Sequence, residues 1–228
     1  MKPGTLSIVS TPIGNPEDIT LRAIKSLINA DFIICEELKE GRKLFSFFNI
    51  EKEIIRLNEH NSFDELLLDD ICIKLSEGKN ISMISDCGTP AFADPGIELI
   101  RKAVDLNIPV NFIPGANSVI SAIVLSGFDT SRFYFAGFVS PKKDLRKLEF
   151  RKLSVIKRPV ILMETPYRLN KLLDELHEHF NDRRIFIGIN LTMNNERHLR
   201  GFTSEIISLI GHEKIKEEFV VVIEGYGN

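Results

Sequence analysis

The feature that most constrains this chain is a series of short apolar runs alternating with helix-length amphipathic segments. In the first half the apolar runs fall at 6–13, 31–35, 53–57, 81–86 and 110–113, and segments of helical periodicity lie between them at 20–29, 63–76, 97–106 and 118–125. Strands that are apolar on both faces must be covered on both. Helices between successive strands supply the crossovers that parallel pairing requires. The pattern predicts an α/β protein with a mainly parallel first sheet. At 126–132, "SGFDTSR", a glycine and small polar residues interrupt it. The reading therefore divides the chain into two α/β domains, 1–128 and 129–228. The second has strand candidates at 133–139, 160–164, 184–190 and 218–224 and helix candidates at 145–154, 168–180 and 204–210.

With 228 residues, 43% of them hydrophobic, the chain can bury a sizeable core. No apolar run approaches the ~20 residues of a membrane-spanning helix, and residues 1–10 lack the basic-then-apolar pattern of a secretory signal, so a cytoplasmic protein with no membrane partner is expected. Cys35, Cys72 and Cys87 are odd in number and scattered, which points to reduced thiols and to no metal site. A net charge of −3 argues against indiscriminate coating of nucleic acid. One segment departs from that balance: residues 142–158 hold eight basic side chains against Asp144 and Glu149. Such a run either meets phosphate or simply faces water.

Three loops stand where open parallel sheets bind ligands, beyond the carboxyl ends of strands. They are "STPIGNPEDITLRA" from Ser10, "SDCGTPAFADPG" from Ser85 and "IPGANSVISA" from Ile113. Each carries glycine and proline, so backbone can approach a ligand closely and hold its turn. None matches G-x-G-x-x-G or a glycine-rich loop ending in Gly-Lys-Ser/Thr, which leaves a different adenosine-bearing ligand as the better reading.

These blocks, with "NEHNS" and "GFVSPKK", in this order and spacing, closely resemble the ribosomal small-subunit RNA 2′-O-ribose methyltransferase I family, a branch of the tetrapyrrole-methylase-like (class III) methyltransferases. The resemblance runs from about Leu6 to Glu224. It implies two α/β domains with S-adenosylmethionine in a cleft between them, a homodimer, and methylation of a cytidine ribose in small-subunit (16S) RNA. Carried onto this sequence, the cofactor positions are Pro12, Gly14, Asp86, Gly88, Thr89, Asn117, Ser118 and Met163. Asp86 either accepts charged hydrogen bonds from the cofactor or caps its own turn. A ribose hydroxyl needs a base or a polarising group beside it. The candidates are Glu36, Glu37 and Lys39 in "CEELK" and Glu59, His60 and Asn61 in "NEHN", of which Glu36, His60 and Asn61 form the catalytic set. His60 leads by residue type, its ordinary pKa lying nearest neutral.

The chain also departs from the family. Glu-Asp-Thr-Arg is here Glu36, Glu37, Leu38 and Lys39. Arg-Glu-x-Thr-Lys is Ile189, Asn190, Leu191, Thr192 and Met193, and Pro-Gly-Pro-Ser is Pro114, Gly115, Ala116 and Asn117. Loss of arginine and lysine removes phosphate contacts that neutral side chains cannot replace. Three readings stay open: the ribosomal RNA methyltransferase itself, a diverged methyltransferase acting on another RNA or a small molecule, and a catalytically silent cofactor- or RNA-binding protein.

Overall fold

A computed structural model describes residues 2–211 and 215–226, and the chain separates into two compact units, Met1–Asn117 and Ser118–Asn228. In the first unit the order is β1 (Leu6–Val9), α1 (Leu21–Asn29), β2 (Phe32–Cys35), α2 (Leu38–Phe47), β3 (Glu53–Arg56), α3 (Glu65–Ser76), β4 (Ile81–Met83), α4 (Ile97–Asp105) and β5 (Val110–Ile113). The strands form one fully parallel sheet, β3-β2-β4-β1-β5. Leu6, Ile34, Ile81 and Met83 feed one core cluster, and Val9, Ile33 and Cys35 a second, so both faces are buried. Helix α1 shows how the cover forms. Thr20 caps it by accepting from the Ala23 N–H at 3.1 Å, and Ala23, Leu27 and Ala30, spaced four and three apart, line up on the buried face.

The second unit begins with α5 (Ser118–Ser126), followed by β6 (Tyr134–Phe138), α6 (Lys143–Ser154), β7 (Val160–Met163), α7 (Leu169–Phe180), β8 (Arg184–Ile189), β9 (Arg197–Phe202), α8 (Thr203–Ile210) and β10 (Phe219–Ile223). Its sheet runs β6-β7-β10-β8-β9. Only β6 and β7 pair in parallel; β7-β10, β10-β8 and β8-β9 are antiparallel.

The division falls at 117/118, eleven residues before the 128/129 boundary read from the sequence. Helix α5 is apolar on most sides and packs on β8 and β10, so the polar stretch after it is a loop within the second unit. Two elements escaped the sequence reading. Helix α2 contains Gly41 on its buried face, and Glu37 at its start gives no side-chain cap, so a glycine interrupts its stripe of Leu38, Phe45 and Phe48 and no start signal marks it. Strand β9, "RHLRGF", is polar and owes its place to pairing with β8.

Two basic or motif positions lie where the sequence reading did not expect them. Arg146, counted in the basic run, is 2% exposed, and its guanidinium pairs with Glu164 at 2.8 Å and Glu175 at 2.7 Å. It braces this unit from within and meets no phosphate. Ile189 is fully buried in the second core, and Asn190 and Leu191 are also buried. An arginine at 189 would place an unpaired charge among aliphatic side chains, so restoring the family's charge there is a folding lesion and no repair.

Candidate active site

Because the first sheet is wholly parallel, the carboxyl ends of its strands share one edge, and the loops after β1, β4 and β5 meet there. The Thr11 N–H donates to Gly88 O at 2.8 Å, and the Ser10 N–H donates to Ile113 O at 3.1 Å. The Ser10 and Thr89 hydroxyls lie 3.2 Å apart, and the Asn117 amide donates to the Thr89 hydroxyl at 3.4 Å. Glycine is required at two points. Gly88 has φ of +77°, and a Cβ there would stand 3.3 Å from Ile13; a Cβ on Gly115 would stand 2.9 Å from the Ser10 Cβ. The loops therefore close on one another backbone to backbone. Pro12 and Gly14 are half-buried in the first of them.

Beside these loops the ends of β2, β3 and β4 bring carboxylates together. Asp86 is exposed, and its Oδ1 accepts from the Glu37 N–H at 2.9 Å, at the start of α2. Although Asp86 reaches the surface, partial desolvation at the strand end raises its carboxyl, a rise opposed by that N–H. Glu36 is pushed up to about 7, first by burial and then by Asp86, Asp94, Glu37 and Glu59. Asp94 is pushed up to about 6 by burial and by Asp86, against a lowering hydrogen bond from the Ser85 hydroxyl. The sequence reading did not single out Asp94. Its signal was present in "ADPG", but an aspartate among turn formers reads first as a cap. Glu37 differs from its neighbours in pairing with Arg56 at 2.5 Å.

The remaining predicted residues separate into different settings. His60 projects from the loop after β3 with its side chain 82% exposed, 3.7 Å from Glu59. Asn61 holds that loop closed: its Oδ1 accepts from the Asn58 N–H at 2.7 Å and its amide donates to Arg56 O at 3.0 Å. Lys39 is exposed on α2. Ser118 opens α5 and Met163 ends β7, both in the second unit. Cys35 and Cys72 are buried and Cys87 is exposed, with no disulfide among them.

A chain of two such α/β units has counterparts among known proteins. Residues 5–207 match the model of the tetrapyrrole (corrin/porphyrin) methylases. The chain belongs to that family. Within it, the methylase is 38% identical to the ribosomal RNA small subunit methyltransferase I of Halalkalibacterium halodurans over 226 residues, covering 98% of this chain and 77% of the relative. It is 36% identical to the protein of that name from Thermotoga maritima, covering 97% and 99%. It is therefore a member of the ribosomal RNA small subunit methyltransferase I family. Among solved structures, diphthine synthase shares the fold with a TM-score of 0.73 at 14% identity, covering 97% of this chain and 90% of that one. Uroporphyrin-III C-methyltransferase from Thermus thermophilus, complexed with S-adenosyl homocysteine, does so with 0.69 at 15% identity, covering 97% of each.

As a methylase of this family the chain uses S-adenosylmethionine as its methyl donor. The first unit's residues fit such a group on their own chemistry. Glycines 88 and 115 keep side chains out of the loop surface, Thr89 and Asn117 supply hydroxyl and amide, and the Asp86 carboxylate beside them supplies the negative charge that suits a cationic cofactor.

The same carboxylates give the methylase a pH signature. For an acid raised in the folded state, the fold binds more protons than the unfolded chain between the two pKa values, so stability falls as pH rises. The contribution of Glu36 and Asp94 is complete below their ordinary values of 4.5 and 3.8 and is lost as pH climbs through about 7 and about 6. Thermal midpoints measured without cofactor should therefore drop between pH 5 and pH 8. Glu36→Gln with Asp94→Asn should flatten that drop; an unchanged profile would show that other groups set it.

Proposed function

We propose that this methylase transfers a methyl group to the ribose 2′-hydroxyl of a cytidine in small-subunit (16S) ribosomal RNA. The observation that carries the reading is Glu36, a half-buried carboxyl held near neutral pKa at the end of β2. A carboxylate poised near neutrality can take the hydroxyl proton as the oxygen attacks. His60 is the alternative base, but its exposed ring and its exposed neighbour Glu59 leave it nothing that excludes water. When bound, S-adenosylmethionine supplies an electrophilic methyl on a sulfonium leaving group. Pro12, Gly14, Asp86, Gly88, Thr89 and Asn117 of the first unit would hold it, and the proposal extends to Ser118 and Met163 of the second.

The names borne by the relatives support RNA of the small ribosomal subunit as acceptor. They also support a cytoplasmic enzyme, since that is where the subunits are. A homodimer is part of the reading, checked by light scattering. The test is methyl transfer from labelled S-adenosylmethionine to small subunits from a strain lacking the gene, with the labelled nucleotide then located. Glu36→Gln should lower kcat by about 100- to 10,000-fold, the range of a lost general base, with cofactor affinity shifted by less than about threefold. The replaced charges in residues 189–193 favour, as a second reading, a methyltransferase with another RNA or a small molecule as acceptor. Label on any other nucleotide, or on none, would move the conclusion there; cofactor binding without transfer to any acceptor would leave a silent binding protein.

A further inference from the structure

We infer that the groove between β6 and α6 of the second unit is a docking site for an unstacked base of single-stranded RNA. The inference rests on RNA as the acceptor class but concerns residues outside the strand-end site. A cavity of about 210 Å³ lies there, lined by Tyr134, Ala136 and Phe138 of β6 and Glu149, Lys152 and Leu153 of α6. It is smaller than the ~300–1,000 Å³ typical of drug-sized ligand sites, which suits one flat ring better than a whole cofactor. Tyr134 is 48% and Phe138 51% exposed, on a strand that is the edge of its sheet. Pairing with β7 slips between Phe135 and Gly137, and Gly137 takes φ of +66°, so the edge is bulged and poorly shaped to add another strand.

Charge decides what such an aromatic edge receives. With Arg146 buried, the exposed basic residues of 142–158 are Lys142, Lys143, Lys147, Arg151, Lys152, Lys157 and Arg158. Lys147 pairs with Glu178 at 3.6 Å, whereas among the described residues no ion pair holds Lys142, Lys143, Arg151 or Lys152. Lys152 lines the groove with Tyr134 and Phe138, and Lys142, Lys143 and Arg151 belong to α6 or its cap. Aromatic rings together with unpaired cations form the usual platform for single strands, in which bases lie on aromatics and phosphates on lysine and arginine. Glu149 adds a polar point: its Oε2 accepts from the Ser140 N–H at 2.7 Å, and its second oxygen can accept from a base N–H. A second copy of the chain fits the groove less well. A two-fold interface sets the same patch against itself, and here that opposes two strongly basic helices.

The test is fluorescence anisotropy with a labelled single-stranded RNA, and with the duplex of the same sequence, at several salt concentrations. Tyr134→Ala with Phe138→Ala should weaken single-strand binding by roughly 5- to 150-fold for each base unstacked and leave duplex binding nearly unchanged. Tyr134→Phe with Phe138→Tyr should retain affinity, which separates stacking from a folding defect. Lys142→Gln, Lys143→Gln and Lys152→Gln together should flatten the log–log salt dependence by about one unit for each phosphate no longer neutralised. In methylation assays the alanine pair should raise KM with kcat unchanged. Equal binding by wild type and alanine pair overturns the docking site while leaving methyl transfer untouched. Conversion of a dimer to a monomer by the alanine pair overturns it in favour of an interface between copies. Loss of methyl transfer to RNA with single-strand binding intact instead counts against the acceptor reading alone.

Discussion

Replacing Arg146 with alanine is expected to destabilise the second unit by about 3–5 kcal/mol, the cost of removing one partner from a buried ion pair. The guanidinium is 2% exposed; its Nη1 lies 2.8 Å from Glu164 and its Nε donates to Glu175 at 2.8 Å. Its Nη1 also donates to the carbonyls of Val139 and Ser140, and it lies over the Phe150 ring at 5.3 Å. Truncation leaves the Glu164 carboxylate, itself 5% exposed, with Arg168 at 3.7 Å as its remaining cation among the described residues and with the Thr165 N–H, which donates to its Oε1 at 2.9 Å. Urea unfolding followed by circular dichroism measures the loss. Arg146→Lys should recover part of it, because an ammonium keeps the charge but cannot span both carboxylates. A cost under about 1 kcal/mol would place Arg146 among the surface pairs. The same residue separates structure from docking: where the variant remains folded, its RNA salt dependence should match wild type, unlike that of the Lys142 and Lys143 variants.

Gly88→Val should reduce S-adenosylmethionine affinity by more than about tenfold. A left-handed backbone costs an L-residue roughly 1–2 kcal/mol, and a β-branched one more, while about 1.4 kcal/mol is already a factor of ten. The added carbon would stand 3.3 Å from the Ile13 Cγ2, while 3.8 Å to Ala116 O is ordinary contact, so the Ile13 side chain and the loop after β1 that carries it must give. Moving that loop strains the Thr11-to-Gly88 and Ser10-to-Thr89 hydrogen bonds that hold the three loops together. Calorimetry reads the affinity. Gly127→Ala is the control: its φ is +73° with nothing within 4 Å of the added carbon, so it should lose a little stability and no affinity. Equal cofactor affinity in wild type and the Gly88 variant would remove the loop after β4 from the binding surface.

What local sequence determined here is whatever depends on spacing over a few residues. Short apolar runs and the 3.6-residue period located nearly every strand and helix of the first unit, and glycine and proline marked the three loops because those residues relieve or impose the turns involved. Tertiary structure decided the rest. Arg146 is indistinguishable by composition from its seven basic neighbours, and only the packing of α6 shows that it points inward to Glu164 and Glu175. Helix α5 reads as the last helix of the first domain, yet its apolar surface is covered by β8 and β10, strands some sixty and one hundred residues onward. Glu36, Glu59, Asp86 and Asp94 come from three separate loops. They perturb one another because the strand order β3-β2-β4 sets those loops side by side, and a coulombic effect depends on distance in space, to which separation along the chain is no guide.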